Sequence, residues 1–197
     1  MPKLLIASNN AGKLAEFREL LDGCGWEVVS PAEVGLVLDV AETGASYAAN
    51  ARIKAQAFAG ASRLASLADD SGLEVDALNG EPGTLHHVKG WDGVNDAERI
   101  TLLLDALKDV TGKRRTARYR VVIAVVLPDG RVIEEEGTCE GVIVNTPSGS
   151  GGFGYDPVFY LPSEKKTMAE LTRAEKNQIS HRAVAASKMR ERLRALV

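Results

Sequence analysis

The spacing of apolar positions in the first third of the chain alternates between that of a strand and that of a helix. The apolar run KLLIAS (3–8) predicts a buried strand, and the polar turn NNAG leads out of it. In KLAEFRELLDG (13–23) apolar side chains recur on one helical face, and a glycine ends the helix. WEVVS (26–30) predicts a second strand, and the alanine-rich stretch 46–63 predicts a second helix.

The remaining segments continue this alternation and end in a hairpin, a loop and a helix. SLADD (66–70) predicts a strand that runs into a loop, and LEVDAL (73–78) predicts a separate short strand. Apolar positions at helical spacing predict a helix over 96–110. Three segments follow: a long β-hairpin over 117–144 with its turn at Asp129-Gly130, a Gly- and Ser-rich loop over 145–154, and a final helix over 180–196 with Ser180 as its N-cap.

Strands and helices that alternate early, with a hairpin after them, predict an α/β fold. We expect a long mixed central sheet with helices on both faces and a cleft at the strand ends. The length of 197 residues suits one domain or two small lobes, and the chain contains no linker, low-complexity tract or internal repeat. The sequence is therefore expected to form a single domain over 1–197.

Composition and charge narrow the class of protein. The share of hydrophobic and charged residues is that of a globular protein, and the formal net charge of -3 gives no general attraction to nucleic acid. Cys24 and Cys139 are too few for a disulfide framework and are not spaced as a metal knuckle, which fits a reducing compartment. The apolar run at the start is too short for a signal peptide, and no stretch is long enough to span a membrane. We expect a cytoplasmic protein that binds neither nucleic acid nor membrane.

The stretch SNNAGK (8–13) lies where the first predicted strand turns into the first helix. Backbone N–H groups at a helix start attract anions, and Lys13 adds a full positive charge. The stretch is not a Walker P-loop, because the first glycine is missing and Leu14 follows the lysine in place of Ser or Thr. Two interpretations stay open: a phosphate-binding turn, or an ordinary strand-to-helix turn with asparagines in tight conformations.

The stretch LADDSG places two adjacent carboxylates, Asp69 and Asp70, after an apolar pair. Adjacent anions repel, and a turn needs only one aspartate, whereas Mg²⁺ commonly takes one or two carboxylates together with phosphate and water. Glu42 on another predicted loop is either a solvated acid or, beside the aspartate pair, a further ligand. Ser46 and Asn50, one helical turn apart, either point polar groups to the same place or form a helix cap and an exposed face, and the second interpretation is favoured.

Two stretches towards the C-terminus carry further candidate binding groups. GGFGYDP places Phe153, Tyr155 and Asp156 on a glycine-rich loop. An aromatic side chain in such a loop is either a stacking platform for a nucleobase or an apolar plug over the sheet. The second stretch, RAEKNQISHRAVA, surrounds a predicted helix start with cations, which face either phosphate and base oxygens or solvent: Lys176, His181 and Arg182.

Taken in order, seven stretches resemble the inosine/xanthosine triphosphate pyrophosphatase family. They are SNNAGKLAEF, ETGASYAANARIKA, LADDSGLEVDAL, GEPG, GGFGYDPVF, TMAEL and EKNQISHRA. The match runs from about residue 5 to the final helix, and seven ordered motifs are far more specific than any one of them. The resemblance implies a two-lobed α/β fold with a long central sheet, an active-site cleft between the lobes, and a homodimer.

The resemblance also implies an activity and a set of roles. The family hydrolyses deaminated purine nucleoside triphosphates (ITP, dITP, XTP) to the monophosphate and pyrophosphate, which cleans the nucleotide pool. It implies that Glu42 and Asp70 bind Mg²⁺, and that Asp70 is the general base. Asp69 supports them, and Lys13 is the main cation on the triphosphate. The implied substrate-binding residues are Ser8, Asn9, Asn10, Ala11, Gly12, Lys13, Ser71, Phe153, Gly154, Tyr155, Asp156, Lys176, His181 and Arg182.

One stretch departs from the family pattern. After Pro82-Gly83 the family typically continues with an aromatic residue and Ser-Ala-Arg, whereas this chain reads TLHHVKGWDG (84–93). The usual arginine is absent, and His86, His87 and Lys89 stand nearby. The histidine pair has no Cys or Glu at zinc spacing, so we expect surface or packing residues. The alternative to an enzyme is thus a non-catalytic purine-nucleotide sensor on the same fold; the retained acids and lysine favour the enzyme.

Overall fold

The computed structural model describes residues 1–84, 91 and 93–197. In those ranges one sheet contains eight strands: β1 (Lys3–Ile6), β2 (Glu27–Val29), β3 (Ala65–Val75), β4 (Pro82–Gly83), β5 (Thr116–Val126), β6 (Val132–Ile143), β7 (Phe159–Leu161) and β8 (Lys166–Thr167). The same ranges contain five α-helices: α1 (Ala11–Leu20), α2 (Tyr47–Ser62), α3 (Asp96–Ala106), α4 (Arg173–Ile179) and α5 (His181–Arg194). None of these helices is both long and apolar enough to cross a membrane.

The strands form a mixed sheet in the order β2-β1-β3-β5-β6-β7-β8, and β4 pairs with β3 outside this path. β1 runs parallel to β2 and β3, whereas β4 is antiparallel to β3, and β7 is antiparallel to β6 and β8. The predicted α/β fold with a mixed central sheet is therefore confirmed. The predicted hairpin is also present, since β5 and β6 are neighbours. Its turn is closed by hydrogen bonds from the Leu127 N–H to the Arg131 carbonyl and from the Gly130 N–H to the Leu127 carbonyl.

The chain divides into two compact units. Unit 1 contains Met1–Asp70, Val121–Gly137 and His181–Val197, and unit 2 contains Ser71–Arg120 and Thr138–Ser180. Each unit has an apolar core of its own. The single domain expected over the whole chain stays a prediction.

In unit 1 the side chains of β1 alternate between the two faces of the sheet. Leu4 and Ile6 pack in one core with Phe17 of α1 and Met189 of α5, whereas Leu5 packs in a second core with α2. The three β1 side chains are fully buried. Because successive strand residues point to opposite faces, helices cover both faces of the sheet in this unit, as predicted.

A buried arginine ties helix to strand in unit 2. Arg115 donates from Nε to the Ile143 carbonyl at 2.7 Å, and from Nη1 to the carbonyls of Leu107 (2.9 Å) and Val110 (3.2 Å). Burial lowers the pKa of Arg115. A cation is favoured near a helix C-terminus. The contacts fix the end of α3 beside the end of β6, the strand that leads into the glycine-rich loop.

β3 is longer than the sequence pattern predicts. The expected strand-to-loop transition at 66–70 and separate strand at 73–78 are wrong, since β3 runs without interruption from Ala65 to Val75. The loop predicted over 145–154 is confirmed. The final helix is confirmed as α5, which begins directly after Ser180, but a separate short helix, α4, precedes it.

Candidate functional site

Asp69 and Asp70 occupy consecutive positions in β3, so their side chains point to opposite faces of the sheet. Both are buried. Lys13 Nζ donates to the two carboxylate oxygens of Asp69, at 2.9 and 3.1 Å. Arg182 donates to Asp69 Oδ2 through Nε at 3.1 Å and Nη2 at 2.9 Å. Asp70 instead accepts from Nδ2 of Asn50 at 2.9 Å, so the two acids have cationic and neutral partners respectively.

These environments shift the two pKa values in opposite directions. Burial by itself would raise the pKa of Asp69, but the charges of Lys13 and Arg182 outweigh burial and hold that pKa far below its usual range. Burial raises the pKa of Asp70, and the charge of Glu42 raises it further. Asp69 is therefore a fixed anion, whereas Asp70 is the more basic of the two and the better suited to take a proton.

The start of α1 supplies the anion-attracting groups predicted from SNNAGK. Asn10 caps the helix by accepting from the Lys13 N–H at 3.0 Å, and the Ser8 hydroxyl oxygen accepts from the Asn10 N–H at 3.2 Å. Polar residues that line the adjacent cavity of about 220 Å³ include Ser8, Asn9, Asn10, Lys13, Glu42 and Lys54. The predicted phosphate-binding turn and the predicted metal ligand Glu42 thus border one cavity in unit 1.

Two residues of α2 lie among these groups: Lys54, which sequence analysis did not assign, and Asn50, for which an exposed face was the favoured interpretation. Lys54 is largely buried, and its Nζ donates to Glu42 Oε1 at 2.8 Å. Asn50 is buried and accepts from the Gly44 N–H at 2.7 Å, so its expected exposed position is wrong, whereas Ser46 caps α2 as expected. The available signal was the spacing of Asn50 and Lys54, which places both on one helix face.

Arg182 is committed to a second carboxylate of unit 1. Its Nη1 donates to Glu16 Oε2 at 2.9 Å, and its guanidinium lies 5.9 Å from the centre of the Phe17 ring. Arg182 is fully buried and Glu16 nearly so. Nothing in the sequence pattern of α1 distinguishes Glu16 from a solvated helix residue, so sequence analysis missed it. The role expected for Arg182 at the nucleobase stays a prediction.

In unit 2 the glycine-rich loop is organised around a buried carboxylate. Asp156 Oδ2 accepts from Lys176 Nζ at 2.7 Å and from the Phe153 N–H at 3.1 Å. Lys176 Nζ also lies over the Phe153 ring, 4.9 Å from its centre, and that ring remains 45% exposed. A Cβ at Gly152 would lie 2.0 Å from Asp156 Oδ2, so only glycine fits there. The loop therefore presents one partly exposed aromatic face beside a cation.

With the geometry in place, comparison with known proteins places the chain in a family. A sequence model of the Ham1 family matches residues 4–192. The chain belongs to the Ham1 family. It is 47% identical over 197 residues to the dITP/XTP pyrophosphatase of Geobacillus kaustophilus, which covers 100% of this chain and 97% of that protein.

Solved structures of Ham1 proteins agree with the fold. The Ham1 protein of Staphylococcus aureus matches with a TM-score of 0.87 and 38% identity, over 99% of this chain and 100% of that one. The Ham1 protein of Coxiella burnetii matches with a TM-score of 0.88 and 40% identity, over 98% of each chain. The observed α/β architecture is thus that of other Ham1 proteins.

The predicted site residues of this Ham1 protein fall into two sets. Unit 1 holds Ser8, Asn9, Asn10, Ala11, Gly12, Lys13, Glu42, Asp69, Asp70, His181 and Arg182, and unit 2 holds Ser71, Phe153, Gly154, Tyr155, Asp156 and Lys176. His181, the first residue of α5, is buried. The histidine pair and lysine of the variant stretch 84–93 lie outside the described residues.

The carboxylates of this Ham1 protein fit Mg²⁺. Within the described part of the chain, no group of three or more His, Cys, Asp and Glu side chains could hold a metal alone. The charge of Glu42 raises the pKa of Asp70, so the two acids interact, and a divalent cation would offset their repulsion. Two carboxylates suit Mg²⁺, which completes its shell with substrate phosphates and water.

Proposed function

We propose that this Ham1 protein hydrolyses the deaminated purine nucleoside triphosphates ITP, dITP and XTP to the nucleoside monophosphate and pyrophosphate. The observation that carries the proposal is the division of the aspartate pair, in which Asp69 pairs with Lys13 and Arg182 while Asp70 accepts from the amide of Asn50. Relatives named dITP/XTP pyrophosphatases, similar over nearly the whole chain, support the same reaction. Such an enzyme removes deaminated nucleotides from the nucleotide pool.

The triphosphate is bound by the start of α1 and two lysines. Helix N-terminal N–H groups favour anions. An ammonium carries three donors, and Asp69 accepts from two of those of Lys13, so the third can donate to an outer phosphate while Asp69 keeps the lysine in place. Lys54 lines the same cavity and is the second cation for phosphate. Ser8 and Asn10 shape the turn that presents these groups.

Glu42 and Asp70 are the carboxylates that would hold Mg²⁺. When bound, the ion would neutralise phosphate charge and lower the pKa of water. The ion pair between Glu42 and Lys54 keeps cation and carboxylate at the same cavity in its absence.

Asp70 is the general base in this proposal. It takes a proton from the water that attacks the α-phosphorus. Lys13 and Lys54 stabilise the negative charge of the pyrophosphate that leaves. Burial makes Asp70 more basic, and the hydrogen bond from Asn50 orients its carboxylate. Asp69 does not titrate near neutral pH and acts by holding Lys13, and Ser71 contacts the substrate. Positioning and charge neutralisation supply most of the rate.

The loop of unit 2 binds the purine base. The exposed face of Phe153 provides a stacking surface, since every base has a π-face. Lys176 can only donate hydrogen bonds, which suits the 6-oxygen of hypoxanthine and xanthine and opposes the amino group of adenine. Gly154, Tyr155 and Asp156 complete the loop. The family resemblance adds His181 to the base-binding set, whereas Arg182, fully buried between Asp69 and Glu16, supports the carboxylates of unit 1.

The oligomeric state and the compartment of the protein are part of the proposed function. We expect a homodimer in the cytoplasm that acts on free nucleotides, because the net charge of -3 offers no general attraction to nucleic acid. Both cysteines are free and buried, which fits a reducing compartment. Light scattering of the purified chain measures the oligomeric state, and a monomer would remove the dimer from the proposal.

Identification of the products tests the proposed reaction. ITP incubated with the protein and Mg²⁺ should yield IMP and pyrophosphate in equal amounts, separated by ion-exchange chromatography. Release of IDP and orthophosphate would mean attack at the γ-phosphorus and would contradict the proposal. Binding of ITP without any product would instead support a nucleotide sensor.

A further inference from the structure

The glycine-rich loop of unit 2 is stabilised by a residue of another segment as well as by one of its own residues. Asp156 binds the Phe153 N–H from inside the loop. The N–H of the next residue, Gly154, donates to Oδ2 of Asp96 at 2.8 Å. Asp96 is the first residue of α3. The two neighbouring amides are thus fixed by two carboxylates from different parts of unit 2.

The position of Asp96 is itself well defined. α3 begins with a capping box, in which Asn95 Oδ1 accepts from the Glu98 N–H at 3.0 Å and Glu98 Oε2 accepts from the Asn95 N–H at 2.9 Å. Arg99 Nη1 donates to Oδ1 of Asp96 at 3.3 Å, which leaves Oδ2 directed at Gly154. Asp96 therefore presents its carboxylate from a rigid helix start rather than from a flexible loop.

The neighbouring tyrosine adds a second link between the loop and α3. Burial raises the pKa of Tyr155 to about 12, the charge of Arg99 opposes this rise, and the charge of Asp96 adds to it. The Tyr155 ring thus lies within electrostatic reach of both α3 side chains. Gly154 itself has a φ of 62°, a left-handed conformation, so the bond to Asp96 stabilises a turn that places Phe153 and Tyr155 on either side of it.

We propose that Asp96 is a positioning residue: its carboxylate holds the Gly154 amide and thereby fixes the Phe153 ring as the surface on which the purine stacks. The part of this inference that concerns the purine rests on the function proposed above. The part that concerns the loop does not. Loss of the contact would let the ring move, so nucleotide binding would weaken while the phosphate chemistry in unit 1 continued.

Three variants separate this role from a general effect on α3. Asp96→Ala removes the acceptor, whereas Asp96→Asn keeps an oxygen that can accept from Gly154. Asp105→Ala removes an exposed aspartate of the same helix that pairs with Lys108, and it leaves both the capping box and the Gly154 contact, so it is the matched control. The readouts are amide hydrogen exchange of peptides spanning 150–158 and the steady-state constants for ITP with Mg²⁺.

In Asp96→Ala the backbone amides of the loop should exchange faster than in the wild type. The KM for ITP should rise about threefold to tenfold, the effect expected from the loss of one hydrogen bond, and kcat should stay within about twofold of the wild-type value. Asp96→Asn should keep the loop exchange and the KM close to those of the wild type, and Asp105→Ala should change neither. Unchanged loop exchange in Asp96→Ala would overturn the positioning role, and faster exchange with an unchanged KM would overturn its link to the purine. A wild-type protein without turnover would refute the proposed function, and the exchange data would still decide the role of Asp96.

Discussion

Asp69 and Asp70 differ by one position in β3 and by the sign of the shift in their pKa. The pleat of the strand sends one side chain to α1 and α5 and the other to α2, so neighbouring identical residues meet different partners. Repulsion between adjacent acids is tolerable because each is stabilised by a different group. In the proposed reaction Asp69 maintains the arrangement of the cations, and Asp70 is left to take the proton.

Asparagine substitutions should separate the two roles. Asp70→Asn should lower ITP turnover by about 10²–10⁴-fold, the usual effect of losing a general base, and its Tm should not fall, because a neutral amide replaces a carboxylate whose pKa is raised. Asp69→Asn should destabilise the protein by about 3 kcal/mol, because it takes one partner from a buried arginine. Turnover assays and thermal unfolding measure both effects; near-normal turnover of Asp70→Asn would move the base elsewhere.

The stability difference between wild type and Asp69→Asn should depend on pH. Because the pKa of Asp69 is lowered on folding, its contribution is fully present above the ordinary aspartate pKa of about 4 and is lost as the pH falls below it. Denaturant unfolding at neutral and acid pH measures this difference. A difference that grows towards acid pH would contradict the assignment of Asp69 as a fixed anion.

Lys13→Ala should weaken triphosphate binding far more than monophosphate binding. The lysine lies in the cavity that the start of α1 borders, and its charge acts on the β- and γ-phosphates. Calorimetric titration of the inactive Asp70→Asn background with ITP and IMP gives both affinities. Equal weakening of the two ligands would place Lys13 away from the outer phosphates.

Arg182→Ala should lower Tm strongly and reduce ITP and ATP turnover in the same proportion. The substitution leaves Asp69 and Glu16 buried without their guanidinium, which is far more costly than the loss of an exposed pair. Arg192→Ala, which removes the partner of Glu135 from an exposed part of the same helix, is the control and should cost about 1 kcal/mol or less. If the ratio of ITP turnover to ATP turnover were smaller in Arg182→Ala than in the wild type, Arg182 would instead take part in recognising the base.

At the scale of elements, the spacing of apolar residues predicts those helices and strands that pack one face against a core. α1, α2, α3 and the hairpin were anticipated because each carries a regular pattern or an Asp-Gly turn. The expected division of β3 is wrong because two acids interrupt its apolar run. Only tertiary partners, Lys13 and Arg182 for Asp69 and Asn50 for Asp70, make these acids compatible with a buried strand. The burial of Glu16 cannot be predicted from the sequence for the same reason, because it depends on a tertiary partner, Arg182.

The contact between β6 and α5 is the element-scale feature with the sharpest prediction. A Cβ at Gly137 would lie 2.1 Å from the His181 carbonyl oxygen and 2.7 Å from the Ala185 nitrogen, so Gly137→Ala must displace the start of α5. It should cost at least about 2 kcal/mol and reduce ITP turnover through Arg182. Gly60→Ala in α2 is the control, because a Cβ there would meet no atom from outside its own helix backbone within 4 Å. It should raise the free energy of unfolding by about 0.5–1 kcal/mol. Equal Tm values for the two variants would contradict this packing.

At the scale of the whole molecule, the chemistry is divided between the two compact units. Unit 1 carries the phosphate-attracting turn and the carboxylates, and unit 2 carries the aromatic loop with its lysine. The ordered motifs of the sequence point to both sets, whose roles at the substrate stay predictions, because each motif is a local stretch of residue types that this chemistry uses. They did not anticipate Lys54, Glu16 or Asp96, whose roles depend on contacts between segments distant in sequence.

The central claim is that the protein selects deaminated purine nucleoside triphosphates. The most direct test compares kcat/KM for pyrophosphate release from ITP, XTP and ATP, each with Mg²⁺ and with the metal chelated. Lysine donors match the 6-oxygen and leave the amino group of ATP unpaired, at a cost of about 1–3 kcal/mol. We therefore expect ITP and XTP to exceed ATP by at least about tenfold, with turnover lost on chelation. Equal kcat/KM for the three nucleotides would contradict the account.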